Sequence, residues 1–600
     1  MPKDRGGRDL TAPAPGVGGP REPVLLPRPR SIELAPGGGR VVDGTVTENR
    51  DRSLAAEGYR LEVADTGIHL TAADDAGARH GRATLAQLRH DAGDRTLPAC
   101  RILDWPDFAV RGVMLDVARD RVPTVEWLSA LVDRLAGWKL NQLQLYTEHT
   151  FAYVGHDEVW RHASPYTPDD LRAIEAHCRS RGIELVANQN TLGHFERWLR
   201  HDRYRPLAIA PDGFDWVFGV RRSPMTLDPA NPGAFALVAD LLGQLLPVLE
   251  SRRVHIGLDE PWELAPERRP EWVDWLTRLT DLPVMAGRQP LVWGDVLAAD
   301  PDLLGGLPEG VTVCEWGYED DHPFAERAGA LAAAGVPFWM SPGTSSWLSI
   351  SGRVENMLGN IKSAAVAGLA HGATGMLTTD WGDMGHHQQP VVSEPGLAAA
   401  AAFSWCVDSH LPMDLDDLAT MLDVHAFDDR AGALGGALVD LGRIPRSVTP
   451  QVPNMSALVF SILLPQWRVG RGATRGLTDA DLESVGTVLD TVETAVGGAR
   501  PRRPDGDVVL DEVRATVGLL RLACRDARLR LAGDGSLSSV SPSDRTALAA
   551  ELDVVIAEHR RLWAERFRPG GLDDSVAWFE RLGSCYRTGE ADRNWFGPPA

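Results

Sequence analysis

From about residue 108 to residue 405, apolar strand-like runs alternate with helix-like segments. The strand-like runs are RGVMLDVA (111–118), NQLQLYTE (141–148), IELVANQN (183–190), VHIGLDE (254–260), PLVWGD (290–295), VTVCEWG (311–317), PFWMSPG (337–343) and ATGMLTTDW (373–381). Amphipathic segments lie between them, such as VEWLSALVDRLAGWK (125–139), DLRAIEAHCRSRG (170–182), FALVADLLGQLLPVLE (235–250) and VENMLGNIKSAAVAGLAHG (354–372). Eight β-then-α units in roughly 300 residues predict an α/β fold of the (β/α)8 TIM-barrel type. A doubly wound open sheet would use fewer units and would usually carry a Gly-rich phosphate turn after its first strand, which is missing here.

The flanks read differently. Residues 23–105 hold short alternating runs, YRLEV (59–63) and GIHLTAA (67–73), and then a helix-like ARHGRATLAQLRH (78–90), so an α+β accessory domain is expected there. The barrel is assigned to 106–408. From 409 to 600 long helical stretches dominate, among them 481–496, 509–533 and 545–567, which predicts an all-α C-terminal region that packs on the barrel or dimerises. Residues 1–22, rich in Gly, Pro and charge, read as a disordered leader.

Composition excludes several partners. The net charge of −22 leaves no basic face for nucleic acid or an anionic membrane. No apolar run reaches spanning length, and no apolar core of a secretory signal opens the chain, so a cytoplasmic location is expected. The six cysteines are scattered without metal spacing and read as reduced core thiols. His386-His387 lacks a third ligand at a helical or hairpin spacing. Neither a metal nor a cofactor is expected.

In such a barrel, function sits at the C-terminal strand ends. Those ends carry carboxylates, histidines and tryptophans almost throughout: Tyr146, Glu148 and His149; Asn190, His194 and Glu196; Asp259-Glu260; Trp293 and Asp295; Glu315-Trp316, Tyr318 and Asp320; Trp347; Asp380, Trp381 and Asp383. Strand 1 opens with Arg111 and carries Asp116 and Arg119. Carboxylates with flat aromatics, and no phosphate loop, favour sugar chemistry. Cleaving a glycosidic bond needs a carboxylic acid of raised pKa to protonate the leaving oxygen. Asp259 would raise the pKa of Glu260, since two adjacent negative charges are disfavoured. Pro261 restricts Glu260 to an extended conformation and ends the strand at this pair.

HIGLDE (255–260) resembles the His-Ile-Gly-Gly-Asp-Glu signature of the family 20 glycoside hydrolases, the β-N-acetylhexosaminidases, with Leu258 in place of the second glycine. GYRLEVADTGIHLTAADDAGARHGRATLAQL (58–88) is similar to the accessory domain of that family, and LPACRILDWPDFAVRGVMLDVARD (97–120) to the start of its barrel. The resemblance covers about residues 23–405. It implies an exo-acting, retaining β-N-acetylhexosaminidase in which the substrate's own 2-acetamido oxygen attacks the anomeric carbon, giving an oxazolinium intermediate. The same resemblance implies the roles. Glu260 is general acid and then base. Asp259 orients the acetamido N–H, and Tyr318 bonds the acetamido oxygen. Arg111 holds the ring hydroxyls at C3 and C4. Trp293, Trp347 and Trp381 wall the site, with Trp316 as wall or core. His194 and Glu148 form a supporting pair. Asp320, of the Tyr-x-Asp pattern, and Asp383, where the family carries Glu after Trp-x, complete the substrate-binding set. The expected partner is an N-acetylated oligosaccharide or glycoconjugate. Three alternatives stay open: a narrow β-N-acetylgalactosaminidase, a sugar-binding barrel without turnover, and a two-carboxylate glycosidase with its nucleophile at Glu315 or Asp380.

Overall fold

A computed structural model describes residues 22–35, 40–42, 44–93, 96–216 and 220–591. Apart from residue 22, the expected leader lies outside the described residues. The chain divides into two compact units between Trp105 and Pro106, with Leu26–Arg28 belonging to the second.

The first unit is a five-stranded sheet in the order Ser31–Leu34, Cys100–Asp104, Tyr59–Ala64, Gly67–Ala72, Val46–Arg50. Along Tyr59–Ala64 the residues Tyr59, Leu61 and Val63 are buried and their neighbours are not, as alternation requires. Helix Asp75–Ala92 covers that face. Its N-terminus is closed by Asp74, whose carboxylate accepts the Gly77 N–H at 2.8 Å. Gly81 lets it approach, because a Cβ there would lie 2.3 Å from Leu70 Cδ1.

The second unit contains the closed parallel barrel. Its strands are β1 (Val110–Asp116), β2 (Gln142–Thr147), β3 (Glu184–Gln189), β4 (Arg253–His255), β5 (Gln289–Trp293), β6 (Thr312–Trp316), β7 (Phe338–Ser341) and β8 (Gly375–Asp380), paired in sequence and closed by β8 on β1. All seven residues of β1 are buried, as a strand between a filled barrel and a ring of helices must be. Helices α1 (Val125–Gly137), α2 (Pro168–Arg181), α3 (Pro232–Leu245), α4 (Pro270–Thr280), α5 (Asp295–Ala299), α6 (Phe324–Ala333), α7 (Val354–His371) and α8 (Glu394–Trp405) follow the strands in turn. Sequence signals set the ends. Thr167 and Asp170 form a capping box around Pro168, and Gly182, at φ 77°, closes the other end of α2.

Each expected strand overlaps an observed one, but the fourth stops early. β4 ends at His255, and the next five residues turn through positive φ at Gly257 (70°), Leu258 (72°) and Glu260 (47°). The expected extended Glu260 is therefore corrected. Proline disfavours the right-handed helical region at the preceding residue, and here the chain meets that restriction at positive φ.

Helix α8 explains why the C-terminal helices join the barrel in one unit. Its sequence is EPGLAAAAAFSW, and all twelve residues are buried. One side packs on β1 and β8, the other on Leu415–Met421 and Leu422–Phe427. Without that cover its apolar run from Leu397 to Phe403 would face water. Further on, helix Leu572–Thr588 braces the loops at the barrel mouth. Asp574 accepts from Arg197 at 2.8 Å, and the Ser575 hydroxyl donates to the Gly385 carbonyl at 2.5 Å. All six cysteines are free thiols. Among the described residues no helix is long and apolar enough to cross a membrane, and no group of His, Cys, Asp and Glu has the arrangement of a metal site.

Candidate active site

The loop after β4 gathers the site. Asn190, just past β3, uses its whole amide to hold it. Its Oδ1 accepts the Leu192 and Leu258 N–H groups at 3.3 and 3.4 Å, and its Nδ2 donates to Asp259 Oδ1 at 2.7 Å and to the Tyr146 hydroxyl at 3.3 Å. Gly257 is needed for this fit, since a Cβ would lie 2.6 Å from Asn190 Oδ1. Leu258 sits where the family motif has its second glycine. Left-handed backbone costs a non-glycine residue about 1–2 kcal/mol. The Leu258 side chain is fully buried, and burying a leucine contributes about 1.5–3 kcal/mol. Burial offsets the strain, so leucine is tolerated.

Both carboxylates of the pair face His194. Its Nε2 lies 3.1 Å from Asp259 Oδ2 and 3.5 Å from Glu260 Oε2. The two environments then diverge. Burial would push the Asp259 carboxyl up, but the His194 charge and the hydrogen bonds from His194 and Asn190 outweigh it and hold the group below its ordinary value. Glu260 is raised, by burial first and also by the charges of Asp259 and Asp383, against His194 and Arg119. Its side chain is about one-third exposed (32%) while that of Asp259 is buried (8%), so Glu260 is the member that meets incoming material. The Glu260 N–H donates to Asp295 Oδ2 at 2.9 Å. Burial and the charges of Asp259 and Glu260 raise Asp295 itself to about 7. For His194, burial disfavours the charged ring, yet Asp259 raises it to about 10.

On the other side of His194 stands Arg119. Its Nη2 is 3.3 Å from His194 Nδ1 and 3.5 Å from Glu148 Oε1, and its Nη1 is 3.3 Å from Asp116 Oδ2. The guanidinium also lies 4.9 Å from the Tyr146 ring centre and 5.1 Å from that of Trp381. Burial raises Glu148 to about 7 against Arg119 and His194. Asp383 is also raised, by burial, against the charges of Arg119, His194 and Arg222.

The aromatic wall is continuous with the barrel core. Trp293, Trp347 and Trp381 pack with Tyr146 and Met114, and Trp316 and Tyr318 lean against them. The Tyr318 hydroxyl accepts the Trp381 indole N–H at 2.8 Å. Its ring stacks on Trp316 (5.1 Å, 24°) and meets Trp347 edge-on (5.0 Å).

Two expected residues are not in this group. Arg111 is the second residue of β1, at the opposite end of the barrel. Its Nε donates to the Lys139 carbonyl at 2.9 Å and its Nη1 to the Phe108 carbonyl at 2.7 Å, and it lies over Trp405. A residue at the N-terminal end of a barrel strand cannot reach the mouth. Arg119, seven residues beyond β1's glycine, occupies that place. Arg111→Met should therefore destabilise the fold by about 2–3 kcal/mol, because two carbonyls lose a charged donor, and leave KM for sugar unmoved; urea unfolding and steady-state kinetics check this. Asp320 is also turned away. It is ion-paired with Arg446 of helix Leu434–Ser447, and its N–H donates to Asn356 of α7.

Arg119, Asn190 and Asp295 follow expected strands and contact His194, Asp259 and the Glu260 N–H, although the resemblance implies no role for them. Their spacing from the β-runs was the available signal. The alternative nucleophiles are engaged elsewhere. Asp380 Oδ1 accepts from the hydroxyls of Thr344, Ser346 and Ser393, and Glu315 pairs with His322 at 3.1 Å.

A parallel barrel whose mouth holds two adjacent carboxylates within a tryptophan wall has the features of a glycoside-cleaving enzyme. Comparison with known proteins places it further. Residues 108–367 match the catalytic-domain model of glycosyl hydrolase family 20, and residues 23–105 match domain 2 of that family. A β-N-acetylhexosaminidase of Cellulomonas fimi is 26% identical over 456 residues, covering 68% of this chain and 86% of that one. A lacto-N-biosidase of Bifidobacterium bifidum is 25% identical over 224 residues, 37% of this chain and 19% of that one. The solved structure of Streptomyces plicatus N-acetyl-β-hexosaminidase in complex with Thio-NAglucal superposes with a TM-score of 0.53 at 21% identity, covering 68% of this chain and 96% of that chain. The chain belongs to glycosyl hydrolase family 20, as a divergent member.

Proposed function

We propose that the protein is an exo-acting, retaining β-N-acetylhexosaminidase that works by substrate assistance. The observation that carries this reading is the divergence of Asp259 and Glu260 around one histidine: one carboxyl held charged, its neighbour drawn toward its protonated form. A charged Asp259 suits an acetamido N–H that gains positive charge as its oxygen attacks C1. A protonated Glu260, partly exposed, suits protonation of the leaving oxygen, and the carboxylate left behind can then activate water. The Tyr318 hydroxyl, held by the Trp381 indole, would donate its own proton to the acetamido oxygen. The three hydroxyls on Asp380 and the His322 contact on Glu315 weigh against a protein nucleophile. Arg119 would bind the ring hydroxyls in the place first expected of Arg111. The substrate would be a terminal β-linked GlcNAc or GalNAc of an oligosaccharide or glycoconjugate.

Hydrolysis of nitrophenyl β-GlcNAc, β-GalNAc, β-Glc and β-Gal, with and without a thiazoline mimic of the oxazoline, tests this. Cleavage of N-acetylated sugars alone, blocked by the mimic, is expected. Cleavage of plain glucosides would sink the substrate-assisted route.

The pH profile should follow from the pair. Asp259 acts while charged, so its competent form is present above its lowered pKa and is lost as pH falls through it. Glu260 acts while protonated, so its form is present below its raised pKa and is lost as pH rises through it. A bell in kcat/KM with its alkaline limb above the ordinary glutamate range is expected, and Glu260→Gln should lack that limb.

A further inference from the structure

Trp262 lies two residues beyond Glu260 and is 42% exposed. A lone exposed tryptophan is ordinary. This one is held in place from both sides. Its neighbour Glu263 accepts the N–H groups of Met225 and Thr226 at 2.8 and 3.1 Å and also the Thr226 hydroxyl, which ties the loop after β4 to the loop after β3. From that second loop Trp216 stands edge-on to the Trp262 ring at 6.3 Å and 80°. Arg222 lies 4.8 Å over the Trp216 ring, and its Nη2 donates to Glu196 Oε1 at 3.0 Å. Glu196 lies two residues beyond His194, whose Nε2 is 3.5 Å from Glu260 Oε2, so the Arg222 end of the cluster joins the loop that contacts the acid. Two indoles and a guanidinium are thus held on the two loops that carry Glu260 and His194, and the Trp262 N–H donates to the Glu260 carbonyl at 2.7 Å.

We propose that Trp262, with Trp216 and Arg222, forms the subsite for the leaving half of the substrate, and that this half is a second sugar ring. The inference rests on the glycosidase reading above. An acid that protonates the leaving oxygen must have the leaving ring on its outer side, and Trp262 follows it in the chain by two residues. The C–H face of a pyranose stacks on an indole, and the Arg222 N–H groups not turned to Glu196 can take ring hydroxyls.

The test is equilibrium binding by calorimetry, with N-acetylglucosamine and with the sulfur-linked disaccharide of N-acetylglucosamine, which is not hydrolysed. In the wild-type protein the second ring should tighten binding by about tenfold. Trp262→Ala should abolish that gain and Trp262→Phe should restore part of it, with thermal melting confirming that each variant is folded. If the alanine variant does not fold, the phenylalanine variant and Arg222→Met decide, each expected to keep only part of the gain. A second ring that adds nothing in the wild type, or adds the same in every variant, overturns the subsite and leaves the glycosidase reading standing. A wild-type protein that binds neither sugar overturns both.

Discussion

Glu260→Gln should lower kcat/KM on an N-acetylated disaccharide by about 10²- to 10⁴-fold, the span that a positioned general acid supplies. The glutamine keeps the shape and the His194 contact but has no proton of suitable acidity to give. An aryl glycoside with a good leaving group needs little protonation, so its loss should be much smaller. The two substrates must separate. Equal losses on both would mean that Glu260 does not protonate the leaving oxygen, and full activity on the disaccharide would remove it from the chemistry altogether. Azide, as an external nucleophile, should restore turnover of the aryl substrate, because the variant also lacks the base that activates water.

The barrel was legible because its signal is periodic. Strands buried on both faces read as unbroken apolar runs, and α2 announces both its ends through Thr167-Pro168 and Gly182. The path of the chain after β4 was not legible. HIGLDE looks like one continuous strand, yet only Arg253–His255 is regular, because Asn190, nearly seventy positions earlier, takes the Leu258 N–H and the Asp259 carboxylate. A contact of that range leaves no local trace.

The two misplaced residues have different causes. Arg111 is the second residue of β1 and Arg119 follows its last, so the rule that function sits at the C-terminal strand ends already favours Arg119 over the residue that the resemblance implies. Strand direction decides it: the chain enters β1 at the bottom and leaves at the top, so only Arg119 can reach His194. Asp320 looked like a site residue because it follows Tyr318 by two positions. Its partner, Arg446, comes from the C-terminal helices, whose placement the sequence did not reveal. Trp293 and Trp381, at or one residue past the ends of β5 and β8, were readable from strand ends alone, whereas Asp259 and Glu260, four and five residues past β4, were readable from the motif.

Asp259→Asn is expected to be as informative as the loss of the acid, and in the opposite pattern. Asp259 Oδ1 takes the Asn190 amide and Oδ2 faces His194 Nε2. An asparagine has one oxygen for two donors, so its NH2 must oppose one of them. The variant loses a negative charge, leaves a buried donor unmatched and takes from His194 the partner that raises it to about 10. In the proposed mechanism that charge steadies the acetamido nitrogen during attack at C1, a step common to every substrate. Disaccharide and aryl glycoside should therefore lose activity alike, by about 10²- to 10³-fold, the cost of removing one electrostatic stabiliser from a preorganised site. Affinity for the thiazoline mimic should fall in parallel, since it presents the same ring. Parallel kinetics for the two substrates, set against their separation in Glu260→Gln, would divide the pair into a stabiliser and a proton donor. An aryl rate left intact by Asp259→Asn would instead show that the acetamido group takes no part in the reaction.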